Sequence, residues 1–233
     1  MAKNLPTIEE MVEAGVHFGH RTRQWNPKMA KNIFGKREGI HILNLEITLK
    51  QLETAVDYLD KQKANDPTLI FVGTKRQAVP VVKVAADLCG AHYITDRWPG
   101  GLITNFDNIH KAIDHYNEII ATIADEKAFN SFPAKKRFEL TKEKERLDKI
   151  FGGLTKLHNR PDILIVIDPK REKTAILEAK KNKAVIIGIV DSNTDPGIVT
   201  YPIAANDDAL KSIELILTTL ATAFKKSNKA KAE

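Results

Sequence analysis

Three short apolar runs constrain the fold of this chain more than any other feature. They are Thr68–Val72, Ile163–Ile167 and Ala184–Val190, and none of them contains a charged residue. A continuous apolar run of this length is typical of a strand buried on both faces, as in a parallel sheet. Because the runs alternate with amphipathic helical patterns, the chain is predicted to form an α/β fold with helices on both faces of a parallel sheet.

The segments between these runs extend the predicted sheet over about 38–98 and 160–224. Residues 39–45 alternate apolar and polar side chains, which indicates a strand. Thr48 is then placed to cap an amphipathic helix that reaches about residue 64.

Two polar clusters indicate further helix starts. Thr7 to Glu10 has the form of a capping box, which predicts a helix over about 7–15. Asn206 to Asp208 are suited to open the last helix, since a cap and negative charge favour a helix N-terminus.

Residues 105–157 interrupt the α/β pattern with a repeat of their own. Apolar residues recur at steps of three and four from Phe106 to Ile123, and again from Leu140 to Leu157, after a turn near Pro133. Such spacing is a heptad seam, so we predict an inserted antiparallel coiled-coil helical hairpin. The second arm carries both signs of charge at pairing distance, which favours a solvated face over a binding site.

A basic segment near the N-terminus is the main functional signal. Residues 14–37 contain no Asp or Glu, although the whole chain is nearly balanced, with 36 Lys+Arg against 30 Asp+Glu. Glycines and Pro27 break long helices there, so the charges fall on turns and short elements together with Phe18 and Trp25. Arg and Lys suit phosphate, and His or Trp can stack on a base. RNA binding is one interpretation; a solvated basic loop with Trp25 as a core anchor is the other.

Two smaller features have similar chemistry. Arg97 and Trp98 stand beside Gly100 and Gly101, where the sheet gives way to the hairpin. They are suited either to binding RNA or to packing at the hairpin base. The tail of residues 226–233 is basic and without pattern, so it either follows a phosphate backbone or is only a soluble end.

The ends of the predicted strands allow a different function. Ligands of α/β sheets bind beyond the carboxyl ends of the strands, where this chain has Thr74, Lys75, Asp168 and Asp191. A nucleotide- or phosphosugar-binding enzyme is therefore the alternative. However, the chain lacks G-x-G-x-x-G after a strand, the P-loop, G-x-S-x-G and H-E-x-x-H. The strand-end acids are more simply helix caps, and neither catalysis nor a metal site is predicted.

Composition indicates which partners and which cellular compartment to expect for the chain. A net charge of +6 and a pI of about 9.2 favour acidic partners. The single Cys89 excludes a disulfide framework and points to a reducing compartment. We find neither a signal-peptide pattern nor a run long enough to span a membrane, so we expect a cytoplasmic protein, or one inside an organelle with a bacterial-like interior, and no membrane partner.

Several short motifs in order along nearly the whole chain resemble one family. They are Gly15–His20, Trp25–Met29, Phe71–Lys75, Arg97–Phe106, Pro161–Asp162, Asp191–Pro196 and Ala205–Ala209. Together they resemble the small-subunit ribosomal protein S2 family in its bacterial or organellar form. The resemblance implies a flavodoxin-like (Rossmann-like) α/β domain with an inserted coiled-coil hairpin and no reaction of its own. It further implies a structural role in the small ribosomal subunit, contacts with its rRNA and neighbouring proteins, and help in recruiting protein S1.

These observations give a segment plan and a set of candidate residues. The plan is an N-terminal helix and basic extension over 1–37, an α/β domain over 38–104 and 158–225, the hairpin over 105–157, and a basic tail over 226–233. The predicted RNA-binding residues are His17, His20, Arg21, Arg23, Trp25, Asn26, Lys28, Lys31, Lys36 and Arg37, with Lys75, Arg76, Arg97 and Trp98 as a second group. No cofactor and no small-molecule substrate are expected.

Overall fold

A computed structural model describes residues 5–225. The strands are β1 (Phe18–Arg21), β2 (Ile33–Arg37), β3 (Ile40–Leu43), β4 (Leu69–Val72), β5 (His92–Ile94), β6 (Ile163–Ile167), β7 (Val185–Val190) and β8 (Tyr201–Ala204). The helices are α1 (Ile8–Glu13), α2 (Leu45–Gln62), α3 (Ala78–Cys89), α4 (Phe106–Ala124), α5 (Glu126–Ser131), α6 (Ala134–Phe151), α7 (Lys173–Lys181) and α8 (Leu210–Phe224). The predicted basic tail, residues 226–233, lies outside the described residues.

The centre of the fold is a five-stranded sheet in the order β5-β4-β6-β7-β8, and every neighbouring pair is parallel. The three apolar runs form β4, β6 and β7, as predicted. The edge strands β5 and β8 contain only three and four residues. They were not anticipated, because such short runs leave little periodicity to detect.

Alternate residues of the strands pack into two separate cores, one on each face of the sheet. Phe71 belongs to the core that includes residues of α2, α3 and α8, whereas Ile70 and Val72 belong to the core that includes residues of α4, α6 and α7. This alternation follows from the two-residue period of a strand. The predicted α/β architecture with helices on both faces is therefore confirmed.

The strand predicted over 39–45 exists as β3, but it does not belong to the parallel sheet. It pairs antiparallel with β1 and β2 in a separate three-stranded sheet, so the parallel sheet begins at Leu69 rather than near residue 38. Glu38 and Gly39 both have positive φ and form the turn between β2 and β3. A two-residue turn of this kind joins adjacent antiparallel strands, which explains the local pairing.

Two helix starts differ from the expectation. α2 is capped by Asn44, whose Oδ1 accepts from the amides of Glu46 and Ile47, and not by Thr48. The buried Thr48 hydroxyl instead donates to the Ala204 carbonyl at 2.5 Å and so ties α2 to β8. α8 begins at Leu210, later than expected. The predicted capping box at Thr7 is present and starts α1.

The insertion consists of two long helices, α4 and α6, with the short helix α5 in the expected turn region. α4 and α6 lie side by side, and the Tyr116 hydroxyl donates to the Asp148 carboxylate at 2.5 Å. Ile113 and Leu147 are buried in the same core as the adjacent face of the sheet. The coiled-coil geometry of this hairpin stays a prediction. Across residues 5–225, we find no helix with the length and hydrophobicity that a membrane span requires.

Candidate nucleic-acid interface

The basic segment, residues 14–37, is held at the carboxyl edge of the parallel sheet by backbone contacts. The Asn26 amide donates to the Ser192 carbonyl at 2.7 Å, and the His20 amide donates to Ser192 Oγ at 2.9 Å. The approach is closest at Gly19, where an added Cβ would lie 2.9 Å from Ser192 Oγ. Gly19 therefore determines how closely the segment docks against the end of β7.

The His20 side chain adds a second link between the basic segment and the sheet. Its Nδ1 lies 2.9 Å from Asp191 Oδ2, and its Nε2 lies 3.5 Å from Asp208 Oδ2. The hydrogen bond with Asp191 raises the pKa of His20 and outweighs the effect of burial, which lowers it. His20 thus faces the sheet edge, and Asp191, which we expected to cap a helix, anchors the segment. A contact between His20 and RNA stays a prediction.

The cations of the basic segment are mostly exposed and unneutralised. The exposed ones are Arg21, Arg23, Lys28, Lys31, Lys36 and Arg37. Among the described residues, Lys28 pairs with Asp195 and Arg37 lies 3.8 Å from Glu38; the other four form no ion pair. Exposed pairs of this kind contribute little, so the segment presents a field of positive charge to solvent. Phosphate is the anion that such a surface suits.

Aromatic side chains stand among these cations. Trp25 is 41% exposed, so it is not the core anchor that the alternative interpretation required. Its ring centroid lies 5.4 Å from that of His41. A shallow groove of about 300 Å³ runs beside it, lined by Trp25, Ala30, Ile33, Gly35, Lys36 and His41. An exposed ring beside positive charge is an arrangement that can stack on an unpaired base.

The remaining residues predicted in this segment support its shape. The Asn26 side chain accepts from the Lys28 amide at 3.0 Å and starts a short 3₁₀ helix. His17 is partly buried, and burial lowers its pKa, so it is neutral at pH 7. Its Nδ1, like both ring nitrogens of His41, is buried without a hydrogen-bond partner in the described chain.

Lys75 is not part of the exposed basic surface. Its ammonium lies 2.7 Å from Asp207 Oδ1, 2.9 Å from Asp208 Oδ1 and 3.1 Å from Asp168 Oδ2. Burial alone would lower the pKa of Lys75, but these carboxylates raise it, so the side chain stays charged. Lys75 therefore neutralises a group of acids at the sheet edge. Sequence reasoning missed this role because Asp207 is far away along the chain.

The same acids raise the question of a metal. His20, Asp191 and Asp207 each offer one ligand atom, and these atoms lie within 4.8 Å of one another. Burial, followed by the nearby Asp191 carboxylate, raises the pKa of Asp207 to about 7, against the effect of Lys75. These three residues could hold a metal ion, although Lys75 already supplies one positive charge there. The expectation of no metal stays a prediction.

The second group of predicted residues divides between surface and interior. Arg76 and Arg97 are exposed, whereas Trp98 is only 6% exposed and presents little ring surface to a base. The Trp98 indole N–H donates to Glu178 Oε1 at 3.2 Å. Glu178, which sequence reasoning missed, also accepts from the amides of Gly101, Ile103 and Thr104. The one available signal was an acid on the apolar face of a helical pattern.

A cleft marks the position where an α/β enzyme would bind its ligand. The strand order reverses between β4 and β6, which is the topological switch point of such sheets. The cleft there has a volume of about 410 Å³ and is lined by Thr74, Asp96, Arg97, Trp98, Gly100, Arg171, Glu172 and Thr174. It does not include the other residues of the enzyme alternative, Lys75, Asp168 and Asp191, which cluster around the docked basic segment.

Comparison with known proteins shows the family to which the chain belongs. The family described as ribosomal protein S2 matches residues 11–227. The chain belongs to the ribosomal protein S2 family. It is 44% identical, over 217 residues, to the small ribosomal subunit protein uS2 of Dictyoglomus thermophilum and to that of Dictyoglomus turgidum. Each alignment covers 93% of this chain and 88% of the relative.

Membership of the ribosomal protein S2 family confirms the resemblance in the sequence motifs. This is a family of structural ribosomal proteins, not of enzymes, so the nucleotide- or phosphosugar-binding alternative is wrong. The carboxylates at the strand ends therefore need a structural explanation, and the contacts of His20 and Lys75 supply one.

Proposed function

We propose that this chain is a structural constituent of the small ribosomal subunit and binds its rRNA through the basic segment. The observation that carries the proposal is that hydrogen bonds attach an exposed, unneutralised basic surface to the α/β body. Arg21, Arg23, Lys31 and Lys36 form no ion pair within the described residues, while Asn26 and His20 fix the backbone beneath them. Preordered cations bind phosphates without first losing the entropy of a mobile loop.

Phosphate contacts supply most of the affinity in this proposal. Each Lys or Arg that neutralises a phosphate releases counterions, so binding weakens steeply as salt rises. His17, His20 and Asn26 shape the surface, and Trp25 stacks on an unpaired base beside it. Arg76 and Arg97 extend the contact as second-group residues. The ribosomes that contain this chain are those of the cytoplasm or of an organelle interior.

Protein contacts complete the proposed role. Both relatives are named as proteins of the small ribosomal subunit. We propose that this chain likewise contacts neighbouring proteins of that subunit. By resemblance, we propose that this chain also helps to recruit protein S1. Pull-down of S1 by the wild-type chain from a ribosome-free lysate of its own organism supports this part, and its complete absence from such a pull-down contradicts it.

Binding to purified small-subunit rRNA across a salt series tests the central proposal. A variant with Arg21, Arg23, Lys31 and Lys36 each changed to Gln should bind at least tenfold more weakly at low salt, with a flatter salt dependence. A matched control changes the exposed Lys50, Lys61, Lys83 and Lys211 to Gln and so removes the same charge. Equally weakened binding in the two variants, or wild-type binding that salt does not affect, would overturn the proposal.

A further inference from the structure

The solvent-facing side of α7 and its flanking residues carries charge of one sign only. The exposed ionisable side chains between residues 170 and 183 are Lys170, Arg171, Lys173, Lys180, Lys181 and Lys183. The two acids in this range, Glu172 and Glu178, are 5% and 8% exposed. Glu172 accepts a hydrogen bond from Thr74, and Glu178 accepts hydrogen bonds from residues 98–104, the Trp98 loop. The acids are thus hidden from solvent, and six cations are left facing outward.

These cations differ from the charges on the hairpin. On α6, Lys142 and Arg146 each lie within 4.0 Å of a Glu one turn away, as a solvated mixed-charge face would. None of the five lysines between residues 170 and 183 has an ion-pair partner in the described part of the chain. Like charges gathered on one surface repel one another, unless an anionic partner offsets the repulsion.

The basic side of α7 begins at the sheet edge against which the basic segment docks. Lys170 and Arg171 follow β6, whose carboxyl end lies beside that of β7, and the Asn26 amide donates to Ser192 at the end of β7. In the same region, the hydrogen bond from Lys28, and to a smaller extent the charge of Lys180, lower the pKa of Asp195. Lys28 belongs to the basic segment and Lys180 to the last turn of α7. One extended anion could therefore contact both surfaces.

We propose that the exposed side of α7, from Lys170 to Lys183, is a second contact surface for the phosphate backbone of RNA, continuous with the basic segment. The inference rests on the proposed function and adds a surface that sequence analysis did not identify. Phosphates recur at a regular spacing along an RNA strand, so one strand can neutralise several unpaired cations whatever its base sequence. An acidic protein would have to place a carboxylate opposite each cation. Leu177, which is 68% exposed in the middle of this face, is uncharged and so does not repel phosphate.

The test uses two charge-matched variants of the full chain. In the first, Lys173, Lys180 and Lys181 are changed to Gln; in the second, Lys50, Lys61 and Lys211 are changed, which lie on α2 and α8 at the opposite face of the sheet. All six lysines are exposed, so we expect both variants to fold and to melt like the wild type. The probe is an in vitro transcript of small-subunit rRNA, and the readout is the slope of log affinity against log salt.

Each phosphate that a substitution leaves unneutralised should reduce the magnitude of that slope by about one. The slope of the α7 variant should therefore be smaller by about two to three, while the control keeps the wild-type slope. Equal slopes for the α7 variant and the control would overturn the second surface while leaving the basic segment in place. If the α7 variant kept the wild-type slope but occupied fewer assembled subunits, the second RNA surface would also be overturned. That result would mean that this face binds a protein. Absence of salt-dependent binding by the wild type would overturn both proposals.

Discussion

His20 Nδ1 lies 2.9 Å from Asp191 Oδ2, and this contact joins the basic segment to the carboxyl edge of the parallel sheet. The two residues are 171 positions apart in the sequence. The His20 amide also donates to the same Asp191 side chain at 3.2 Å. The proposed RNA-binding surface is therefore attached to the α/β body by both backbone and side-chain contacts.

The close approach at Gly19 gives the first prediction. Gly19→Ala places a Cβ 2.9 Å from Ser192 Oγ and 3.2 Å from the His41 carbonyl, so the segment must shift outward. We expect a loss of roughly 1–3 kcal/mol in the free energy of unfolding, as for other overpacked sites. Hydrogen exchange at the His20 amide should also accelerate.

Gly35→Ala is the matched control for this prediction. Gly35 lies in β2 of the same small sheet, and an added Cβ there meets nothing within 4 Å. The control should keep the wild-type unfolding free energy within about 0.5 kcal/mol. If both variants were equally stable in urea unfolding, the docking geometry described at Gly19 would be wrong.

Stability should fall as pH rises through the neutral range. The folded-state pKa of His20 is raised above 6.5, and that of Asp207 is raised to about 7, so the folded chain holds more protons than the unfolded chain in this range. The stabilisation from each group is complete below its unfolded pKa and is lost as pH passes its folded pKa. Burial lowers the pKa of His17 and His92, and these groups act in the opposite direction below pH 6.5. We therefore expect the Tm of the wild type to fall by roughly 2–4 °C between pH 6.5 and 8.

Two variants identify the groups responsible. His20→Gln should flatten the pH dependence above about pH 6, and Asp207→Asn should flatten it at lower pH, because unfolded Asp titrates near 4. Thermal unfolding followed by circular dichroism at half-unit pH steps measures this. A wild-type Tm that rises from pH 6.5 to 8 would show that the sign of the proton balance is opposite to the one inferred here.

Lys75 should be needed for stability rather than for RNA binding. Its ammonium neutralises carboxylates of which Asp207 is fully buried, so Lys75→Met leaves a buried acid without its counter-charge. We expect the free energy of unfolding, measured in urea, to fall by about 3–5 kcal/mol at pH 8 and by less at pH 5.5, where Asp207 is protonated. Lys61→Met, on the exposed side of α2, should cost less than about 0.5 kcal/mol. If the Lys75→Met chain were as stable as the Lys61→Met control, Lys75 would not be the group that neutralises these carboxylates.

The Glu178 carboxylate should hold the Trp98 loop in place. Despite burial, which raises it, the pKa of Glu178 is lowered by the amides of Gly101 and Ile103 and by the Trp98 indole. In Glu178→Gln, an amide NH₂ replaces one acceptor oxygen and faces these N–H donors. We expect a loss of about 2–3 kcal/mol in the free energy of unfolding and a red shift of Trp98 fluorescence, read in a Trp25→Phe background. An unshifted emission would contradict the proposed role of Glu178.

The strands of the parallel sheet were predictable because burial on both faces leaves a local mark. Ile163–Ile167 contains no polar residue, and no tertiary information is needed to identify it as a strand. The alternation in β3 identified a strand equally well. It did not identify the partners, since a half-buried pattern is the same in either sheet.

The contacts of the candidate site were not predictable in this way. Lys75 and Asp207 are 132 residues apart, and Trp98 and Glu178 are 80 apart, so only the folded topology brings each pair together. Charge composition marked the basic segment as a candidate surface. It could not separate His20, which faces Asp191, from Arg21, which faces solvent, because one-signed charge does not report side-chain direction.

Sedimentation of cell extract through sucrose gradients at low and high salt, with blotting for this chain, tests the central claim most directly. The wild type should migrate with small subunits at low salt and move to the top of the gradient as salt rises, because phosphate contacts are screened. The variant without the charges of Arg21, Arg23, Lys31 and Lys36 should be released at lower salt than the variant altered at Lys50, Lys61, Lys83 and Lys211. A wild-type chain that stays at the top of the gradient at every salt concentration would contradict the account.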